Sequence, residues 1–329
     1  MLQLLDLAGI YFRAFHSSPA SVTAPDGRPV NAVRGTLEIV RRVLHDGQPT
    51  RVIACLDLDW RPQWRVDLVP SYKTHRVAGA TPANTGNVAP LDLSVGGLHP
   101  EPDRIEEVPD LLGPQVPVLL EVLAAIGITI AGALECEADD VIGTLAATET
   151  RDEVEVVTGD RDLFQVARPG PPEVRVRYIG AGMSKVVVHT AQSVAEKYDI
   201  PPGHYPAFAA LRGDPSDGLP GVPGVGDKTA ASLVRAYGGV PEILAAVDDP
   251  TSGLGAGPRA KLAAARDYLT VAPRVVAVRT DAAITVDPAG DGTLPTEPAH
   301  PQALIDLVEQ WGIGNPVKRL LDEIAALQR

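Results

Sequence analysis

The sequence predicts an α/β fold: a mostly parallel central sheet flanked by helices, followed by a helical C-terminal region. Three observations predict it. Short apolar runs at 2–5 (LQLL), 52–56 (VIACL) and 154–157 (VEVV) read as strands, and each leads into an acidic residue or a turn that holds one. Stretches 31–45, 115–126 and 138–147 repeat apolar residues at spacings of three and four, the period of an amphipathic helix. From about residue 190 the pattern is helical, punctuated by Pro and Gly. Strands alternating with helices favour a parallel sheet, whose ligand sites lie beyond the carboxyl ends of the strands. Asp6, Asp57 and Asp160 are expected there. The core is assigned to residues 1–188 and the helical region to 189–329.

A chain of 329 residues can bury a substantial core. Its 45% hydrophobic and 22% charged content is ordinary for a soluble globular protein. No stretch reaches the ~18 uninterrupted apolar residues of a membrane helix, so no membrane partner is expected. The start, MLQLLDLAG, lacks a basic leader and carries Asp6, which suits a buried strand better than a signal peptide. Two cysteines, Cys55 and Cys136, point to a reducing, cytoplasmic compartment and to simple core packing. The chain is expected to be a monomer. Its net charge of −13 speaks against a nucleic-acid partner until the clustered acids are set aside. Removing those nine from 42 leaves 33 against 29 basic residues, or −4, which neither excludes nor favours DNA.

Residues 77–109 hold prolines at 82, 90, 100, 102 and 109 and glycines at 79, 86, 96 and 97, with little periodicity. A long irregular stretch inside a domain is functional or disordered. Residues 283–301 are expected to form a surface loop, and 302–327 one or two amphipathic helices. No internal repeat stands out.

Nine clustered carboxylates carry the chemical signal: Asp6, Asp57, Glu137, Asp139, Asp140, Asp160, Asp162, Asp214 and Asp217. Oxygen-only ligands suit hard divalent ions such as Mg²⁺ or Mn²⁺. So many charges exceed the needs of one ion. Two ions roughly 4 Å apart fit, the arrangement that clamps the attacking and leaving oxygens of a phosphodiester. Plainer readings exist for each cluster. Acids at a helix N-terminus gain about 0.3–1 kcal/mol, but that explains only one or two of Glu137, Asp139 and Asp140. An Asx turn explains one of Asp160 and Asp162.

The segment from Gly213-Asp214-Pro215-Ser216-Asp217 leads into a turn containing Gly221, Gly224 and Gly226 and then a helix near Lys228. Backbone N–H groups and a helix N-terminus present themselves to phosphate there, with Lys228 and Thr229 adding a charge and a donor. The plainer reading is a Gly/Pro turn. The run Tyr72-Lys73-Thr74-His75-Arg76 is either a solvated charge run or a neighbour of the site. In the second case Lys73 and Arg76 stabilise phosphate charge and Tyr72 stacks on a base.

The motifs occur in one order: Asp6 with Arg13-Ala14-Phe15, Asp57 with Arg61, Tyr72-Lys73-x-x-Arg76, Glu137-Ala-Asp-Asp140, Gly159-Asp-Arg-Asp162 and Gly213-Asp-x-Ser-Asp217-Gly-Leu-Pro-Gly. In this order they resemble the bacterial 5′-3′ exonuclease and flap endonuclease family, which includes the N-terminal nuclease domain of DNA polymerase I. The resemblance covers residues 1 to about 240 and, more loosely, the C-terminal helices. It implies a PIN-like nuclease core with a helix–three-turn–helix DNA-binding element at about 205–240, and the nine carboxylates as metal ligands. It implies that Lys73 and Arg76 contact the scissile phosphate, and that Arg13, Arg61, Tyr72, Gly221, Gly224, Gly226, Lys228 and Thr229 meet DNA. It further implies K⁺ on backbone carbonyls of the 221–226 hairpin, a DNA duplex with a 5′ end or flap as substrate, and a DNA polymerase as a partner. Three features depart from the family. Residues 77–109 are long and rich in Pro and Gly where relatives have a compact arch. Arg61-Pro62-Gln63 replaces Arg-His-Glu, and Gly218 stands where Asn is common.

Two rival functions remain at this point. A haloacid dehalogenase-type phosphatase would use Asp57-Leu58-Asp59 as nucleophile and acid and Asp214 and Asp217 as its metal motif. A catalytically silent DNA-junction binder would keep the fold without the reaction.

Overall fold

A computed structural model describes residues 1–76, 88–90, 107–109 and 111–329. The expected arch at 77–109 falls almost wholly outside the described residues. Nine strands follow in chain order: β1 (Leu2–Asp6), β2 (Arg51–Cys55), β3 (Val88–Pro90), β4 (Glu107–Pro109), β5 (Thr129–Gly132), β6 (Val154–Thr158), β7 (Val174–Tyr178), β8 (Val187–His189) and β9 (Thr285–Asp287). The core helices are α1 (Leu7–Ser17), α2 (Asn31–Gly47), α3 (Gln63–Leu68), α4 (Gln115–Ile126) and α5 (Ala138–Thr148). The helical region holds α6 (Ala191–Tyr198), α7 (Tyr205–Arg212), α8 (Asp227–Tyr237), α9 (Val240–Asp248), α10 (Ala256–Ala264) and α11 (Arg266–Val276), and the chain closes with α12 (Pro301–Trp311) and α13 (Gly314–Leu327).

The main sheet runs β8-β7-β6-β1-β2-β5-β9. Its five central strands are parallel, and only the edges β8 and β9 are antiparallel to their neighbours. β3 and β4 form a separate antiparallel pair. β1, β2, β5 and β6 are wholly buried because helices cover both faces, so they read as mainly apolar runs without regular polar alternation. One face packs α1, α2, α4 and the last two helices around Leu5, Leu37, Leu119 and Leu320. The other packs α5 and the helical region around Leu4, Ile142, Phe164 and Phe208.

Charge is buried in the sheet as well as apolar surface. Glu155 on β6 is fully buried and accepts from Gln3 (2.9 Å), Arg175 (3.1 Å) and Arg177 (2.8 and 3.2 Å). Those arginines alternate with Val174 and Val176 on β7, which hides that strand from a search for apolar runs.

The division at residue 188 needs correction. β8 spans it, and the chain does not stay in the helical region afterwards. β9 rejoins the sheet beside β5, inside the segment expected to be loop. α12 then packs on α4, and α13 packs on α2, so the last 30 residues or so belong to the core. Among the described residues no helix is long and apolar enough to cross a membrane.

Candidate active site: a carboxylate cleft at the strand ends

Strand order places the acids. β6, β1 and β2 lie side by side and run the same way, with Leu5 beside Val157 and Asp6 beside Cys55. Asp6 closes β1, Asp57 follows β2, and Asp160 and Asp162 follow β6, so all four emerge at one sheet edge. Glu137 and Asp139 join them from the start of α5. Asp214 arrives from the turn after α7. These seven carboxylates, with Arg13, Lys73, Arg76 and Arg161, line a cleft of about 370 Å³.

Each acid is held differently. Asp6 accepts from the Gly9 amide (2.8 Å), capping α1, and from the Thr158 hydroxyl (2.7 Å). Asp57 accepts from the Ala138 amide (2.6 Å), which ties β2 to the start of α5. Glu137 takes the Tyr72 hydroxyl (2.6 Å) on one oxygen and the Lys73 ammonium on the other. Asp160 accepts from the Asp162 amide (2.8 Å), and Asp214 from Arg212 (3.0 Å) and the Ser216 amide (2.9 Å). The carboxylates of Asp139 and Asp162 accept no hydrogen bond from any described residue.

Burial without sufficient donors raises proton affinity. Desolvation, reinforced by Asp160 and other acids, pushes Asp139 and Asp162 well above the ordinary carboxylate range. Desolvation raises Asp57 and Asp217 to about 6, although Lys73 pulls both down. Burial opposes the Lys73 charge, but Glu137 and Asp217 outweigh it and hold that ammonium above its usual pKa. Lys73 also sits at φ +48°, a left-handed conformation in which its backbone N–H donates a hydrogen bond to the Asp217 carbonyl (2.9 Å). The donor set fits hard divalent cations: carboxylates line the cleft, and among the described residues neither His nor Cys does. They form an open ring. Among the described residues no three already close a metal cage.

Four expected site residues lie elsewhere. Asp140 faces away from the cleft: Arg65 grips both its oxygens at 2.7 Å, and the Glu137 and Arg279 amides complete its shell. It is a fully buried counter-ion with no oxygen left for a metal. Tyr72 is buried, its hydroxyl spent on Glu137, so its ring cannot stack on a base. Arg61 braces the 70–74 turn through the Tyr72 carbonyl (2.6 Å) and Thr74 (3.1 Å). Asp217 stands behind Arg76 at 3.4 Å, beside the cleft and not on its wall. Arg13 does line the cleft and donates to the Gly180 carbonyl (3.1 Å).

The turn after Asp217 has the expected glycine geometry. Gly221 at φ +67° packs against Gly213, where a Cβ would meet the Gly213 nitrogen at 2.5 Å. Gly224 lies at φ +74°, and Gly226 caps α8 with Lys228 and Thr229 exposed in its first turn. The same turn recurs once, unnoticed in the sequence. Gly253 has φ +78°, Leu254 is buried as Val225 is, and Gly255 caps α10 as Gly226 caps α8. From α10, Lys261 reaches back to the Gly224 carbonyl at 3.5 Å.

Residues 1–199 match the model of the 5′-3′ exonuclease N-terminal resolvase-like domain, and residues 200–298 that of the 5′-3′ exonuclease C-terminal SAM fold. The chain belongs to the 5′-3′ exonuclease family. A 5′-3′ exonuclease of Mycobacterium tuberculosis is 48% identical over 323 residues, spanning 97% of this chain and 96% of that one. A 5′-3′ exonuclease of Streptomyces coelicolor is 46% identical over 323 residues, spanning 98% and 100%. The fold is also that of the bacteriophage T5 flap endonuclease crystallised with DNA and metal ions, with a TM-score of 0.60 at 14% identity, covering 99% of this chain and 98% of that one. The resolvase-like match ends just after α6, some ten residues beyond the boundary expected from sequence.

Sequence reasoning missed the residues that set this exonuclease site without being acidic. Thr158 bridges Asp6 and the Asp160 amide (2.7 and 2.8 Å), and Arg65 neutralises Asp140. Arg65 carried a signal: a charged residue in the apolar run that follows Trp64. We expect Asp140→Ala to leave the buried Arg65 guanidinium with only its 3.4 Å contact to Glu137 as ion pair and to cost about 3–5 kcal/mol in urea unfolding. A loss below about 1 kcal/mol would return Asp140 to the cleft.

A second expectation concerns pH. The folded chain binds protons at Asp57 and Asp217 up to about 6, against 3.8 ordinarily. In EDTA these groups make stability fall as pH rises from about 4 to about 6, because the folded state binds more protons than the unfolded one there. Melting temperatures that show no such fall in wild type relative to Asp57→Asn would contradict the burial of these charges.

Proposed function

We propose that the chain is a structure-specific 5′ nuclease that hydrolyses DNA phosphodiester bonds as a 5′-3′ exonuclease and flap endonuclease. The observation that carries this reading is the ring of seven carboxylates gathered at the ends of three adjacent parallel strands, with Lys73 and Arg76 beside them in the cleft. Asp6, Asp57, Glu137, Asp139, Asp160, Asp162 and Asp214 would hold two Mg²⁺ or Mn²⁺ ions. Bound divalent ions supply charge neutralisation at the scissile phosphate and activation of the attacking water.

The chain's own groups do the rest. Lys73, fixed against Glu137, keeps a permanent positive charge at the cleft floor, where developing phosphate charge is stabilised without reorganisation. Arg76, half-exposed and tethered to the Ser216 carbonyl (2.9 Å), carries the second charge at the mouth. The 221–226 turn and the first turn of α8 grip the duplex backbone through amides, Lys228 and Thr229. K⁺ at that turn would share the Gly224 carbonyl with Lys261. The substrate is a duplex with a 5′ end or flap, as replication and repair produce, with a DNA polymerase as the upstream partner and products bearing 5′-phosphate and 3′-hydroxyl groups.

The phosphatase alternative loses its acid. Asp59 is buried, accepts from the Arg61 amide (3.2 Å), and does not line the cleft. The silent binder is opposed by the intact cleft.

Digestion of a 3′-labelled 5′-flap duplex tests the reading. Mg²⁺-dependent cuts near the junction, abolished by EDTA and by Asp139→Ala, are expected, with Asp139→Ala still binding the flap in Ca²⁺. Lys228→Ala should weaken binding and lower the slope of log K against log salt by about 0.9, the loss of one phosphate contact. A gel shift without cleavage would support the silent binder instead.

A further inference from the structure

A cleft lined by seven carboxylates repels a polyanion, so its few cations decide whether DNA can approach. Four cations line it. Three are committed: Lys73 to Glu137 and the Trp60 carbonyl (3.3 Å), Arg76 to Ser216 and Asp217, and Arg13 to Gly180. The fourth is Arg161, whose guanidinium forms no hydrogen bond and no ion pair with any described residue. It is exposed.

Its freedom is unusual given its place between Asp160 and Asp162. The nearby acids are turned to other donors: Asp160 takes the Asp162 amide, and Asp214 takes Arg212 and Ser216. The guanidinium shares the cleft lining with Tyr178 and lies within electrostatic reach of a second cation, Lys197. Lys197 stands 5.2–5.8 Å from the rings of Phe164, Tyr178 and Tyr198, and burial followed by the charge of Arg161 holds its ammonium below the ordinary value. Two cations within electrostatic reach of each other, one on the cleft wall and one against aromatic rings, form a place for an anion. A guanidinium with all its donors free matches the paired oxygens of a phosphate.

We propose that Arg161 binds a backbone phosphate of the DNA strand next to the one being cut, and so sets how tightly the cleft holds its substrate. This rests on the nuclease reading for its ligand. Arg161 is a positioning residue here, acting on affinity ahead of bond cleavage.

The test compares wild type, Arg161→Gln and Arg161→Lys on a 5′-flap duplex, in two assays. Fluorescence anisotropy in Ca²⁺ measures binding against salt, and steady-state cleavage in Mg²⁺ measures KM and kcat. Arg161→Gln is expected to weaken binding and raise KM about tenfold, with a smaller change in kcat and a salt slope lower by about 0.9. Arg161→Lys, which keeps the charge, should recover most of the affinity. An unchanged salt slope, or a fall in kcat at constant KM, would overturn the proposal. Because the anisotropy assay needs no cleavage, a loss of one phosphate contact in a wild type that does not cut would uphold Arg161 while refuting the nuclease reading.

Discussion

Repulsion among carboxylates at the ends of β1, β2 and β6 is the constraint on which the rest of this structure depends. Parallel strands in register deliver Asp6, Asp57 and Asp160 to one edge, and α5 adds Glu137 and Asp139. Nothing in the fold neutralises them all. Lys73 answers Glu137, backbone amides answer Asp6 and Asp57, and Asp139 and Asp162 accept nothing from the described residues. A buried charge without a partner is among the costliest features a fold can carry. The arrangement is stable only if the rest of the molecule holds it in place and a cation relieves it.

The holding is visible in the residues behind the cleft. Arg65 grips Asp140 and reaches Glu137, which anchors the first turn of α5 from below. Tyr72 and Lys73 fix Glu137 from the side, and Arg61 locks the turn that carries them. The glycines at 213, 218 and 221 let two backbones meet closely enough to bring Asp214 and Asp217 to the same region; a Cβ on Gly218 would strike the Ser71 carbonyl at 2.1 Å. Site and fold are therefore coupled through backbone contacts as well as charge. The 221–226 turn follows directly on the turn that delivers Asp214, so a duplex held there, as proposed, would be held at a set distance from the cleft.

Much of this was legible in the sequence because the central strands and amphipathic helices have clean periods. β1, β2, β6, α2, α4 and α5 all form within a few residues of where the apolar pattern places them. The strands that escaped have local reasons. β7 alternates Val with Arg, and those arginines, Arg177 buried and Arg175 partly so, are accommodated because Glu155 waits on the next strand. β8 and β9 are three residues long, and β9 sits in a Gly- and Asp-rich stretch, held by pairing with β5 that no local pattern announces. In the site, residue type was legible and orientation was not. Asp139 and Asp140 are neighbours in a helix, so their side chains diverge by about 100°, and only the partner Arg65 decides which one faces the cleft. Tyr72 and Arg61 look like nucleic-acid contacts in the sequence and prove to be braces.

The measurement that tests the central claim most directly is thermal unfolding of the metal-free protein against Mg²⁺, for wild type and Asp139→Ala. If unrelieved carboxylate repulsion governs the cleft, Mg²⁺ raises the wild-type melting temperature, while Asp139→Ala melts higher than wild type in EDTA and gains less from the ion. Identical melting of wild type with Mg²⁺ and with EDTA, or an Asp139→Ala variant less stable than wild type without metal, would contradict it.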